Sequence, residues 1–323
     1  MRQPYVLALM IVVVSFSAPI PIFAQDISES VMFTEVWAYL GNGDEDGLSA
    51  PLPITDAAYF CANINNLGQL AGIPDIGRIA FFKGRKHLVV AELGNLALTH
   101  FVLTPEFRLR DALINDIASA AIPYDGIQID FEAILSKDKE AFLDFLSVLK
   151  KKLATKILSV AVPARFRVID DAYDYERLNK IVDRIVVMAY DEHWSSSTPG
   201  PVASLDWCVN VSSYALSKID KKRLVMGIPF YGRAWPDKNL SRAYKHAGVT
   251  RLLTEKSNGI TGREKEIPFL EYQEMVTVRL FYEDALSVLS KARLYKTANV
   301  SAVAFWRLGQ EDPAVWSFLK IDQ

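Results

Sequence analysis

DGIQIDFE, residues Asp125–Glu132, alternates from its third position onward: Ile127, Ile129 and Phe131 are apolar, and Gln128, Asp130 and Glu132 between them are polar. Successive side chains of a strand point to opposite faces. If the apolar set packs outward on helices, the polar set lines the inside of a closed barrel, with Glu132 at the C-terminal end where barrel active sites are built. Two inward carboxylates cost several kcal/mol unless they are used or paired. The competing reading is a purely structural one, in which they are held by an inward Lys or Arg.

Working outward, short runs rich in Val, Ile and Phe recur with longer amphipathic stretches between them, the pattern of alternating β and α units. Strands are expected near Phe33–Leu40, Ala57–Ile64, His87–Ala91, Gly126–Phe131, Ile157–Val162, Arg184–Tyr190, Leu224–Phe230 and Ser301–Trp306. Gly77–Phe82 competes for the second place. Phe142, Phe145, Leu146, Leu149 and Leu153 fall on one face at helical spacing. The expected fold class is α/β, a TIM-type (β/α)8 barrel formed by residues 25–323. The alternation breaks only at Pro236 to about Thr277, a small insertion between the seventh and eighth strands. That insertion reads as basic, with Lys238, Arg242, Lys245, Arg251, Lys256, Arg263 and Lys265. It is either a solvated loop or a wall that touches substrate.

Of the 323 residues, half are apolar and 23% charged, a profile that suits a large core and excludes disordered and fibrous classes. Basic and acidic residues, 36 against 38, are spread along the chain, so no nucleic-acid surface is implied. Residues 1–24 read as a secretory signal peptide: Arg2, an apolar run from Val6 to Phe16, then Ile22-Phe23-Ala24. The run is about half the ~20 residues that span a bilayer. A periplasmic or secreted protein that is not membrane-bound after cleavage is expected, acting as a monomer. Cys61 and Cys208 sit on elements that are not neighbours around a barrel, so they are expected unbonded. His87, His100, His193 and His246 never approach ligand spacing, and neither metal nor cofactor is expected.

DGIQIDFE resembles the DGxDxDxE signature of glycoside hydrolase family 18, the chitinase-like family. VVMAYDEHW (Val186–Trp194), LVMGIPFYGRAW (Leu224–Trp235) and AVAFWRLGQEDPAVW (Ala302–Trp316) are similar to further segments of that family, in its order. Ala172–Trp207 is similar to the branch that includes bacterial cell-wall and spore-cortex N-acetylglucosaminidases. The likeness runs from about Tyr124 to the C-terminus.

The resemblance implies a substrate-assisted retaining mechanism on a glycan such as peptidoglycan or a chitin-like chain. Glu132 would protonate the glycosidic oxygen while the substrate's acetamide attacks the anomeric carbon. Asp130 would hold the acetamide N–H, Tyr190 would donate to its oxygen, and Asp191 would add a polar contact. By strand parity Trp306 faces inward and would floor the sugar. The motif departs at Gln128, where the family most often has Asp. A carboxamide cannot ionise, so Gln128 is expected to hydrogen-bond Asp130 and to leave its pKa unraised. No second carboxylate is evident across the sugar. Asp125 is assigned to substrate, with a turn or loop-capping role as the alternative.

Tyr231 and Trp194, each after a strand's C-terminal end, are expected to stack on sugar. Trp37, Tyr39 and Trp235 are weighed as groove or core, and His193 as a rim hydrogen-bonder. The alternative function is a glycan-binding barrel without catalysis, which typically lacks the acid that Glu132 supplies here.

Overall fold

The computed structural model describes residues 30–48, 52–236, 241–273 and 277–322. The expected signal segment, 1–24, lies outside the described residues. Eight parallel strands close into a barrel: β1 (Glu35–Leu40), β2 (Asp56–Ile64), β3 (Arg85–Glu92), β4 (Gly126–Phe131), β5 (Ile157–Pro163), β6 (Arg184–Met188), β7 (Leu224–Pro229) and β8 (Ala302–Trp306). Each pairs with its sequence neighbours, and β1 joins both β2 and β8. This is the TIM-type barrel.

Hydrophobic alternation sets the layers. Ile127, Ile129 and Phe131 of β4 are buried in the outer core against the helices, including Leu113, Ile117, Phe142, Phe145 and Leu149. The helix Lys139–Leu153 buries the expected face and Leu143 as well. The lumen holds a smaller cluster of Trp37, Tyr39, Ala58, Val89, Val186, Val225, Ala302 and Ala304. Full helices follow β3, β4, β6 and β7, whereas β1 and β2 are followed by the short 3-10 turns Glu45–Leu48 and Ile76–Ile79. Gly77–Phe82 is therefore no strand, because the Asp75 carboxylate accepts the Gly77 N–H and caps a helical turn there.

The N-terminal end of the barrel is closed by charge. Arg184 donates to both Glu35 oxygens, Arg85 donates to both Asp56 oxygens, and His87 Nε2 lies 2.8 Å from Asp56 Oδ1. Burial alone would raise the Glu35 pKa, but hydrogen bonds from Arg184 and Trp37 hold it down at about 2. Trp37 is fully buried and its ring packs on His87, 4.2 Å between centroids, so it belongs to this base and not to a sugar groove.

The insertion is larger and more ordered than the sequence suggests. Strands Tyr231–Pro236, Arg242–Lys245, Ile260–Glu264, Ile267–Gln273 and Thr277–Phe281 form an antiparallel sheet with the helix His246–Glu255. It has its own core of Ala234, Val249, Leu270 and Leu280, and Trp235 packs in a second small cluster with Ile267 and Phe281. Its sequence is closer to charge balance than the basic reading, since it also contains Asp237, Glu255, Glu264, Glu266, Glu271 and Glu274. Cys61 and Cys208 are both free, with Cys208 buried and Cys61 only half-buried. No helix of the described residues is long and apolar enough to cross a membrane.

Candidate active site

The C-terminal ends of the strands open into a cleft of about 260 Å³, lined by Asp130, Glu132, Tyr190, Asp191, Tyr231 and Trp306 among others. Four parts of the chain deliver these groups. Asp130 and Glu132 come from the end of β4, where Glu132 N–H still donates to the Glu92 carbonyl across the ladder. Asp130 is buried, and its Oδ1 makes no hydrogen bond within the described protein. Burial, then the neighbouring Glu132 charge, pushes the Asp130 pKa up to about 8. Glu132 is also raised, by burial and then by Asp191. The two carboxyls are electrostatically coupled, since the Glu132 charge adds to the upward shift that burial imposes on Asp130.

Tyr190 does not lie on β6, which ends at Met188. Ala189 N–H donates to Val187 O and Tyr190 N–H to Met188 O, each 2.8 Å, and these tight turns swing the ring over the lumen. Its space depends on Gly227 of β7, where an added Cβ would lie 3.0 Å from Tyr190 Cε1 and 2.8 Å from Val187 O. Asp191 follows at φ 60°, a left-handed conformation that Asp tolerates better than most residues. Its Oδ1 accepts from Tyr231 Oη at 2.6 Å and from Arg233 Nε at 3.0 Å. Arg233 lies on the first strand of the insertion, so the insertion is a wall of this cleft. Asp191, expected as a polar contact to substrate, thus lines the cleft as a carboxylate already ion-paired with Arg233.

Trp306 ends β8 facing the lumen, edge-on to Phe60 at 4.7 Å and tilted against Tyr39 at 5.2 Å. Tyr39 is core rather than groove, because its hydroxyl reaches across the barrel to donate to Gln128 Oε1 at 2.6 Å.

Two site assignments are corrected, Gln128 and Asp125, and a third residue, Trp194, stands apart from the cleft lining. Gln128 is fully buried; it accepts from Tyr39 and donates to Ser159 Oγ at 3.3 Å, its register partner on β5, and makes no hydrogen bond to Asp130 among the described residues. The Asp130 pKa is raised without a carboxylate at 128, by burial and Glu132. Asp125 is exposed at the opposite end of β4, where its Oδ2 accepts the Lys86 N–H at 2.8 Å: it tethers a loop and cannot reach substrate. Trp194 is 53% exposed, donates to Ser196 Oγ, and is not among the residues lining the cleft. His193 Nδ1 sits 2.9 Å from the Thr198 carbonyl, at the rim.

The sequence reading missed Phe60, Leu93, Met188, Arg233 and Gln310, which also line the cleft. Arg233 was legible in principle, two residues after Tyr231 on the strand leaving β7. A separate 350 Å³ depression near Arg165 and Tyr214 has charges already spent on one another, Lys139 with Asp170, Lys218 with Glu176 and Arg165 with Asp171.

With that geometry in place, comparison with known proteins settles the lineage. The model of the Glycosyl hydrolases family 18 matches residues 104–311. The chain belongs to family 18. Among relatives, the protein YvbX of Bacillus subtilis, described as an uncharacterized glycosylase, is 28% identical over 209 residues, 61% of this chain and 61% of its own length. The cortical fragment-lytic enzyme of Bacillus anthracis is 24% identical over 291 residues, covering 82% of this chain and 67% of that protein. The crystal structure of the Bacillus cereus spore cortex-lytic enzyme SleL superposes with a TM-score of 0.81 at 22% identity, over 91% of this chain and 76% of the other. The family 18 chain matches about half to three fifths of the length of two Bacillus subtilis relatives, 61% of one and 51% of the other.

Proposed function

We propose that this family 18 chain is a glycoside hydrolase that cleaves a β-linked, N-acetylglucosamine-containing glycan, peptidoglycan or chitin-like, by a substrate-assisted retaining route. The observation that carries the reading is one cleft lined by Glu132, open to it, by Asp130, buried and holding an oxygen with no partner in the described protein, and by Tyr190 and Trp306. Glu132 with a raised pKa keeps the proton it must give to the glycosidic oxygen. As that bond breaks, the acetamide carbonyl oxygen attacks the anomeric carbon. The free Asp130 oxygen accepts the acetamide N–H, and Tyr190 donates to the acetamide oxygen, contacts that strengthen as the ring closes. Glu132, now a carboxylate, takes a proton from the water that opens the cyclic intermediate. Trp306 offers the sugar its apolar floor.

The names of the relatives favour cell-wall glycan, and the apolar run Val6 to Phe16 favours export to the periplasm or beyond, with the chain acting alone on its substrate. The test is Glu132→Gln, which keeps shape but has no proton to donate. Hydrolysis of N-acetylglucosamine oligomers is expected to fall at least about 100-fold while circular dichroism and oligosaccharide binding persist. Retention of more than about a hundredth of the activity would remove Glu132 from the acid role.

A further inference from the structure

The Glu132 carboxylate makes no hydrogen bond or ion pair among the described residues, so its aim is set by the backbone that carries it. That backbone is supported unequally by its two neighbours. On the β3 side the ladder runs to the end of β4: Phe131 stands opposite Glu92, and the Glu132 N–H donates to the Glu92 carbonyl at 2.8 Å. On the β5 side it stops short. The last pair there is Ile129 with Val160, although β5 runs on to Pro163 beside β6. The two strands part just where the acid stands, and Phe131 is left without a strand partner on that side.

Tyr173 fills the gap. It belongs to the loop 164–174 after β5, and its hydroxyl donates to the Phe131 carbonyl at 2.6 Å. A trans peptide is planar, with its C=O and N–H on opposite sides. The peptide between Phe131 and Glu132 is therefore held at both edges, by Tyr173 and by Glu92. The tyrosine is itself locked. The Arg165 guanidinium lies over the rings of Tyr173 and Tyr175, 5.6 and 5.4 Å from their centroids. It donates to the Tyr173 carbonyl at 2.6 Å and to both oxygens of Asp171, which in turn accepts the Tyr173 N–H at 2.8 Å. Arg165 and Tyr173 are both buried, and neither is among the residues lining the cleft. Burial, then the Asp171 charge, holds the Tyr173 pKa well above the usual phenol range, so the donor keeps its proton.

We propose that Tyr173, held by Arg165, is a positioning residue that aims Glu132 at the glycosidic oxygen through the peptide joining Phe131 to Glu132. The inference rests on the reading of Glu132 as the acid. Without the hydroxyl, that peptide is fastened on the β3 side alone and can rock about the line between its two Cα atoms, carrying the acid with it. A misplacement of about 1 Å can cost on the order of 100-fold in rate, so a partial release is expected to cost about tenfold. A tyrosine that merely plugs the gap between β4 and β5 would lower stability and spare proton transfer.

The experiment compares kcat/KM, which reads the steps up to cleavage of the glycosidic bond, on two substrates of the full chain. One is an N-acetylglucosamine tetramer, whose leaving sugar needs a proton. The other is the dinitrophenyl β-glycoside of the N-acetylglucosamine dimer, whose phenolate leaves unaided. Tyr173→Phe, which keeps the ring and its packing, is expected to lose about tenfold on the tetramer and no more than about twofold on the aryl glycoside. Arg165→Lys reads the same support without altering the tyrosine. It is expected to give the same selective loss, and the double variant no more than either alone. Equal losses on the two substrates, or no loss on the tetramer, overturn the role of Tyr173, and losses that multiply in the double variant overturn the hold of Arg165. Glu132→Gln separates this inference from the reading beneath it. As the acid it should lose at least about 100-fold on the tetramer and far less on the aryl glycoside. Equal loss on both would remove the acid assignment as well.

Discussion

Asp191 shows how one residue is tuned by what holds it. The left-handed backbone aims its carboxylate into the cleft, where it raises the Glu132 pKa, and Arg233 and Tyr231 partly offset that charge. Opposite perturbations should therefore move the pH profile in opposite directions. Asp191→Asn is expected to lower the Glu132 pKa and shift the alkaline limb of kcat/KM to lower pH. Arg233→Gln, which uncovers the Asp191 charge, is expected to shift it up. Limbs that move together, or not at all, would show that Asp191 does not set the acid. Asp130 adds a stability counterpart. Its pKa is raised from 3.8 to about 8, so between those values the folded chain holds a proton that the unfolded chain releases. Stability from this group is complete below about 4 and is lost as pH rises through about 8. Asp130→Asn should remove that slope, raising Tm by a few degrees at pH 8 and little at pH 4 in thermal melts.

At the scale of the element, β4 is pinned through its polar side as well as its apolar one. Tyr39 from β1 and Ser159 from β5 occupy the Gln128 carboxamide, so the lumen is braced across its width just below Asp130. Tyr39→Phe leaves a buried carbonyl unsatisfied and is expected to cost about 1–3 kcal/mol in urea unfolding. A change below about 0.5 kcal/mol would show that the brace is unimportant. The parity of β4 was legible because a strand's period of two leaves no freedom once one face is apolar: Gln128, Asp130 and Glu132 point inward together. Their partners were not legible. Gln128 was read as bonding its neighbour two residues along, yet the register places Ser159 beside it and the barrel diameter brings Tyr39 within reach. Asp125 misled for a related reason. A motif treats its residues as one unit, whereas a strand of six residues carries its two ends to opposite rims, roughly 17 Å apart at ~3.3 Å per residue.

The whole molecule divides its labour between rims. The N-terminal rim is sealed by Glu35, Asp56, Arg85, His87 and Arg184, and the C-terminal rim keeps its carboxylates for the cleft. The barrel was readable from alternating runs of residues, but the insertion was not, because its strands are short and paired with one another across long sequence distance, such as Arg233 with Phe281. That sheet brings Arg233 to Asp191 and closes one side of the cleft. The account turns on where the nucleophile comes from. Among the described residues, Asp191 is the one carboxylate besides Asp130 and Glu132 that lines the cleft, and its pairing with Arg233 makes it a poor nucleophile. The proposed mechanism therefore takes the attacking group from the substrate's own acetamide. The decisive measurement compares kcat/KM for an N-acetylglucosamine tetramer and for its fully deacetylated counterpart. The account predicts a loss of at least about 1000-fold on deacetylation, the scale of a missing catalytic group. Comparable rates on the two substrates would contradict it and would return the nucleophile to the protein.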